Sequence, residues 1–211
     1  MRRLKKGFTL TEVLLAMAVI GVISALVMPQ LVKSTQKDKA GIVLGKAVEQ
    51  IELGCQNMMQ EYNSRDDAGV SMVDTLNAMD GNYTFTMDRL APYIGATRVA
   101  NQAGGNRFQR GQRYRFNKFP AEIITSGLVM FQPNVPERER IVEPSMVIDV
   151  NGADSRPNMA GRDRFTFDLR NDGKLIPEGL DSNSCDGDNP TVNANCTARV
   201  VKDGFKIRYN W

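Results

Sequence analysis

The chain has 211 residues, room for one anchor segment and one ordinary globular domain, with 42% hydrophobic and 24% charged residues. It contains no histidine, which excludes His-based acid–base catalysis, Ser-His-Asp and Cys-His nucleophiles, and most zinc sites. The net charge is +3, but Arg2, Arg3, Lys5 and Lys6 precede Phe8; without them 23 basic residues face 24 acidic ones, so bulk charge makes no case for a nucleic-acid or polyanion partner.

The first element is a basic segment, Met1–Gly7, whose sign of charge keeps it on the cytoplasmic face of a membrane. Behind it, from Val13 to Val32, twenty consecutive residues carry no charge. As a helix they would span about 30 Å, the hydrocarbon thickness of a bilayer. A cleaved secretory signal would show a shorter apolar core, a polar stretch and a small-x-small site behind it. Here the apolar run continues past Pro29 into a long helical pattern, so an anchor is expected. Glu12 needs an explanation, because a carboxylate at the edge of such a span costs a few kcal/mol unless it is paired or interfacial. Either it sits among headgroups, favoured by the helix N-terminal dipole, or it meets a cation from another subunit.

Lys5-Lys6-Gly7-Phe8-Thr9-Leu10-Thr11-Glu12-Val13 resembles the prepilin cleavage and methylation motif of type IV pilins and type II secretion pseudopilins. The resemblance covers roughly Lys5 to Gln30, with Pro29 where these proteins carry a helix-kinking proline. Thr11 departs from it slightly, an aliphatic residue being commoner there. The resemblance implies cleavage between Gly7 and Phe8 by a membrane-embedded prepilin peptidase, and N-methylation of Phe8. It implies that Glu12 pairs with the amine of a neighbouring subunit during assembly. It also implies an inner-membrane assembly platform, copies of the chain and other pilins or pseudopilins as partners, and membrane lipid before assembly. The head would lie in the periplasm or outside a bacterial cell. The expected fold is α+β, a long N-terminal helix packed on a small antiparallel sheet. Its parts are a leader at 1–7, a membrane and filament-core helix at 8–32, an amphipathic continuation at 33–62 and a head at 63–211.

Beyond Pro29, Ala40, Leu44, Val48, Ile51, Cys55 and Met58 recur at spacings of three and four, which predicts one apolar helical stripe running to about Tyr62. Pro29 should bend this helix or melt it locally rather than end it. Cys55 lies on the stripe and is expected to be buried and unpaired. Short helices are expected at Ser71–Met79 and Met87–Ile94, and a loop at Ala96–Gly111. Strands are expected at Arg113–Phe116, Glu122–Phe131, Met146–Val150 and Arg164–Leu169. Turns at Asn151-Gly152 and Asn171-Asp172-Gly173 separate some of them, with Asp149–Gly152 read as a hairpin corner.

In the polar tail Cys185 and Cys196 lie eleven positions apart, which fits a disulfide in an oxidising compartment. Such a bridge would contribute roughly 2–3 kcal/mol by the chain-entropy argument. Two free thiols are the alternative, and the disulfide-bounded C-terminal loop of many pilins points toward the bridge. Asp181, Asn183, Asp186 and Asp188 surround Cys185 and could offer oxygens to calcium, but the spacing misses the EF-hand pattern and a solvated turn is preferred. Otherwise no cofactor is expected.

Arg98, Arg107, Arg110, Arg113, Arg115 and Lys118 are interleaved with Phe108, Tyr114 and Phe116, with no acid between Arg98 and Ala121. Cations among aromatics suit single strands or phosphate backbones. A strand alternating Arg and aromatic residues is also an ordinary half-exposed sheet edge, and that reading is preferred. No partner can be nominated for Glu122, Glu137 or Glu139, and no catalytic constellation is visible. The expected function is a structural filament subunit rather than an enzyme, in a secretion pseudopilus or a type IV pilus. The Asp149–Gly173 stretch leans toward the pseudopilin, and Glu12 argues against the tip subunit that lacks this acid. The alternative is a minor pilin that binds DNA or a surface.

Overall fold

The structure, a computed structural model, describes residues 9–62, 71–80, 84–99, 111–125, 129–130, 141–179 and 194–209. Its dominant element is α1, Leu10–Tyr62, whose 53 residues make a rod about 80 Å long. The helix runs through Pro29 without ending there. The rod has two halves with different surfaces. Every residue from Thr9 to Gln36 is exposed, whereas from Ala40 onward one stripe is buried. That stripe holds Ala40, Leu44, Val48, Ile51, Cys55 and Met58, as the periodicity requires.

Two short helices pack against the buried half: α2, Met72–Asp80, and α3, Met87–Ile94. Ser71 caps α2, its hydroxyl accepting the Asp74 N–H at 3.1 Å. The same helix end is also tied to the sheet, since Met72 N–H donates to Asn171 O and Val73 N–H to Asn171 Oδ1. Between these helices lies β1, Thr84–Phe85. Gly54 lets α3 come close, because a Cβ there would lie 2.3 Å from Ile94 Cγ2.

The sheet comprises β2 (Ala96–Val99), β3 (Gln112–Phe116), β4 (Glu122–Thr125), β6 (Ile141–Asp149), β7 (Arg164–Arg170) and β8 (Leu175–Pro177), all antiparallel and in that spatial order. β5, Val129–Met130, leaves this meander to pair with β1. β6 carries an irregularity between Val142 and Met146, where Pro144 has no N–H to give a ladder. The β7–β8 turn needs Gly173 at φ +77°, and its backbone presses on α1 so closely that a Cβ would lie 2.9 Å from Cys55 Cβ.

One sheet face meets α1. Tyr114, Phe116, Ile123, Met146, Ile148, Phe165, Phe167 and Leu169 join the α1 stripe in one core. On the other face Ile124 and Val147 meet Ala153 from the β6–β7 connection. The last element, α4 (Ala194–Lys202), lies on β7 and β8, where Thr166 N–H donates to Thr197 Oγ1 and Ala198 N–H to Glu178 O. The chain then returns along α1, and Lys37 Nζ donates to Tyr209 O at 2.7 Å.

The α+β expectation holds, with corrections in detail. The first four residues of the expected Ala96–Gly111 loop form edge strand β2, paired with β3 from Ala96↔Phe116 to Val99↔Arg113; residues 101–110 lie outside the described residues. Glu122–Phe131 is not one strand. β4 stops at Thr125, before Ser126-Gly127, and β5 pairs elsewhere. β6 begins at Ile141, earlier than its purely apolar portion. Asp149–Gly152 is no tight corner, since β7 resumes only at Arg164. α4 and β8 were not anticipated. α4 is largely polar, and only residues such as Cys196 and Val200 reach the core.

Candidate functional site: the apolar helix and its first turn

Thr9 and Glu12 form a reciprocal cap at the start of α1. Glu12 N–H donates to Thr9 Oγ1 at 3.3 Å, and Thr9 N–H donates to Glu12 Oε2 at 2.9 Å. The Thr9 hydroxyl adds a further bond to Glu12 Oε2 at 2.8 Å. This is the capping box of a Thr-x-x-Glu sequence, in which each residue's side-chain oxygen accepts the other's helix-end N–H, a donor that lacks an intrahelical partner. Thr9 was not singled out in the sequence, although that spacing is its signature. The cap fixes where the helix begins, and it holds the exposed Glu12 carboxylate against its own chain. Gly7 and Phe8 lie outside the described residues.

From this cap the helix presents apolar side chains all round. Leu10, Leu15 and Leu26 are 77%, 68% and 69% exposed, and none of the most apolar window is buried among the described residues. In water such a surface is unfavourable by about 25 cal/mol for each Å²; lipid or a bundle of like helices removes that penalty. Pro29 sits inside this segment and has no N–H to give the Ala25 carbonyl. Four residues beyond Leu31, Thr35 Oγ1 donates back to the Leu31 carbonyl.

Two cations of the basic stretch, Arg113 and Arg115, are taken up by acids of the fold. Arg113 is 4% exposed and donates through Nε and Nη2 to Glu122 Oε2 at 3.0 and 2.6 Å. The half-exposed Arg115 donates through Nε to Glu122 Oε1 at 2.8 Å. Ala153 N–H supplies another bond to Glu122, and Asp154 contacts both guanidiniums. Hydrogen bonding from Arg113 holds the Asp154 carboxyl below its usual range.

Sheet register explains the cluster: Arg115, Glu122, Asp149 and Arg164 are successive cross-strand partners on one row. Asp149, fully buried, accepts from Arg164 Nε at 2.8 Å, yet burial pushes its carboxyl up to about 6. Arg164 Nη2 has no hydrogen-bond partner among the described residues. Glu122 thus has the partners that sequence did not nominate. β3 is an inner strand rather than the expected half-exposed edge, and buried Arg113 is not open to a polyanion. Arg107 and Arg110 lie outside the described residues.

Cys55 is a free, buried thiol, pushed up to about 12 chiefly by that burial. Cys196 is disulfide-bonded. Its expected partner Cys185 and the calcium candidates Asp181, Asn183, Asp186 and Asp188 lie outside the described residues.

A long helix, bare and apolar in its first half and packed on an antiparallel sheet in its second, is the build of a pilin-like protein. Residues 2–28 match the prokaryotic N-terminal methylation motif, the prepilin-type cleavage motif of type IV pilins and pseudopilins. This signature supports a type IV pilin-like or pseudopilin protein, a class processed by prepilin peptidase and assembled with other pilins. Comparison with curated proteins and with solved structures gave no match to the chain.

Proposed function

We propose that the chain is a structural subunit of a type II secretion pseudopilus or type IV pilus. It is cleaved between Gly7 and Phe8, stored in the inner membrane and assembled into a filament with the head outward. The observation that carries this reading is the coincidence of the methylation motif with a helix half that has no packing partner among the described residues. Apolar contact among the 8–32 segments supplies the driving force, because transfer from lipid to a helical bundle keeps these side chains out of water. Glu12 pairs with the Phe8 amine of a neighbouring subunit and sets axial register, since an unpaired charge in that core is penalised.

The test is Glu12→Ala in cells that assemble the filament. Leader cleavage should persist while filaments are lost, and normal filaments in the variant would refute the registration role. Gly7→Leu should leave the uncut chain in the membrane. The pseudopilus is the reading favoured within the pair, on the resemblance of the Asp149–Gly173 stretch to such heads. A DNA-binding minor pilin has less support, because Arg113 and Arg115 already share Glu122.

A further inference from the structure

The head has an uneven charge distribution that filament assembly through the helix does not use. Lys33 is the first residue past the uncharged span, and Lys39 follows six positions later, about 9 Å further along the helix. Lys39 opens onto a cleft of about 470 Å³ between α1 and the β6–β7 connection. The walls of the cleft are mostly apolar, with Ala40, Val43, Pro120, Val150 and Pro157 among them, and Arg156 and Arg162 line it together with Lys39. The returning C-terminal segment lies against α1 at the same height, as the Lys37–Tyr209 bond and the packing of Phe205 O on Gly41 show. It adds the exposed Lys206 and Arg208.

Against the exposed Lys33, Lys39, Arg156, Lys206 and Arg208, the segments 33–43, 156–163 and 205–209 carry one exposed acid, Asp38. Asp163 is buried and taken up by the N–H groups of Asn158 and Met159. These segments hold seven of the mature chain's 23 cations against two of its 24 acids, at the end of the head nearest the apolar helix.

We propose that this pole is a docking surface for anionic phospholipid, its long cationic side chains reaching down to hold headgroup phosphates. The proposal rests on the reading of residues 13–32 as membrane-spanning. The headgroup layer is about 5–8 Å thick on each side of the hydrocarbon, so the cleft begins at its outer edge. The Lys33, Lys39 and Arg156 side chains are long enough to reach into that layer. A cationic pole matches an anionic headgroup layer better than a second copy's identical pole, which would bring like charges together. Lipid docking would hold the unassembled head flat against the membrane, and extraction of the helix would release it.

The experiment places the mature full-length chain in nanodiscs of phosphatidylcholine alone or mixed with phosphatidylglycerol, and follows amide hydrogen exchange. Segment 150–163 and residues 36–43 should exchange more slowly in the anionic discs, and added salt should abolish the difference. A cation near an anionic surface strengthens attachment about fivefold, so the K39E/R156E pair should erase the protection and K39R/R156K should keep it. Equal exchange in the two lipids overturns the proposal. Protection that follows the number of chains per disc regardless of lipid charge also overturns it, and assigns the pole to a second copy. Failure to insert into either disc would remove the anchor reading and this proposal with it.

Discussion

Replacing Glu122 with alanine tests whether the charged row on the back of the sheet holds the head together. Glu122 is fully buried, accepts two bonds from Arg113, and is also bonded by Arg115 and Ala153. Without it, Arg113 keeps its burial and retains Asp154 Oδ1 at 3.1 Å, a carboxylate that is half exposed and shared with Arg115. Removing one partner of a buried pair costs about 3–5 kcal/mol, mostly through the charge left behind. The remaining Asp154 contact places the expected loss at the lower end, about 3 kcal/mol. For a domain of this size that lowers Tm by roughly 6–12 °C. Near-UV circular dichroism of the full chain in detergent, during a urea titration, reads the head without the anchor helix dominating the signal. The companion R113M/E122L variant removes both charges and should recover most of the loss. A Glu122→Ala cost below about 1 kcal/mol, or a double variant worse than the single one, would refute the reasoning.

The other expectations concern the second buried acid, a close helix contact and the cap. The folded-state pKa of Asp149 lies above its ordinary value, at about 6. Its contribution to stability is therefore full below about pH 4 and is lost as pH rises through 6, by up to about 3 kcal/mol. Asp149→Asn should flatten the stability difference between pH 4 and 7, and an unchanged slope in urea titrations counts against it. Gly54→Ala drives a methyl into Ile94 and should cost about 1–3 kcal/mol, with Ile94→Ala in the same chain restoring part of the loss; additive losses would contradict the contact. Thr9→Val should remove about 1 kcal/mol of capping and speed amide exchange at Leu10–Val13, and unchanged exchange there would remove the cap's role.

What was legible in the sequence was whatever depended on neighbours along the chain. The Ala40–Met58 stripe is written in a period that a helix imposes, and all six of its residues are buried. Gly173 in Asn171-Asp172-Gly173 similarly announces a tight turn that the backbone makes at φ +77°. The Glu122 cluster could not be read this way, because its members meet through register across β3, β4, β6 and β7 rather than through spacing. Alternating Arg and aromatic residues in β3 did report two unlike faces, but not that the second face would be covered by the β6–β7 connection. β2 was hidden by its shortness and its half-exposed surface, and α4 by a composition in which only a few residues face the core. At the N-terminus the motif was plain, while the Thr9 cap was missed although its spacing is local.

That cap bears on how a subunit with Glu12 can be stored and then assembled. In the single chain the Glu12 carboxylate is already bonded to the Thr9 N–H and hydroxyl, so it does not wait unsatisfied for a neighbour. In the proposed filament, the Phe8 amine of another subunit must therefore compete with an existing local contact, or add to it through the carboxylate's remaining lone pairs. The net gain from registration is then smaller than an isolated ion pair in an apolar core would suggest. A modest gain suits a contact that selects among axial positions: apolar packing of the helices holds them together almost equally well at many offsets, whereas the charge is paired at only one. On this argument Thr9 and Glu12 have separable effects. Thr9→Val removes the hydroxyl's bond and leaves only the residue-9 N–H on the carboxylate, so it should preserve filaments while fraying the first turn. Glu12→Ala should preserve the rest of the helix while removing the signal that tells one offset from another.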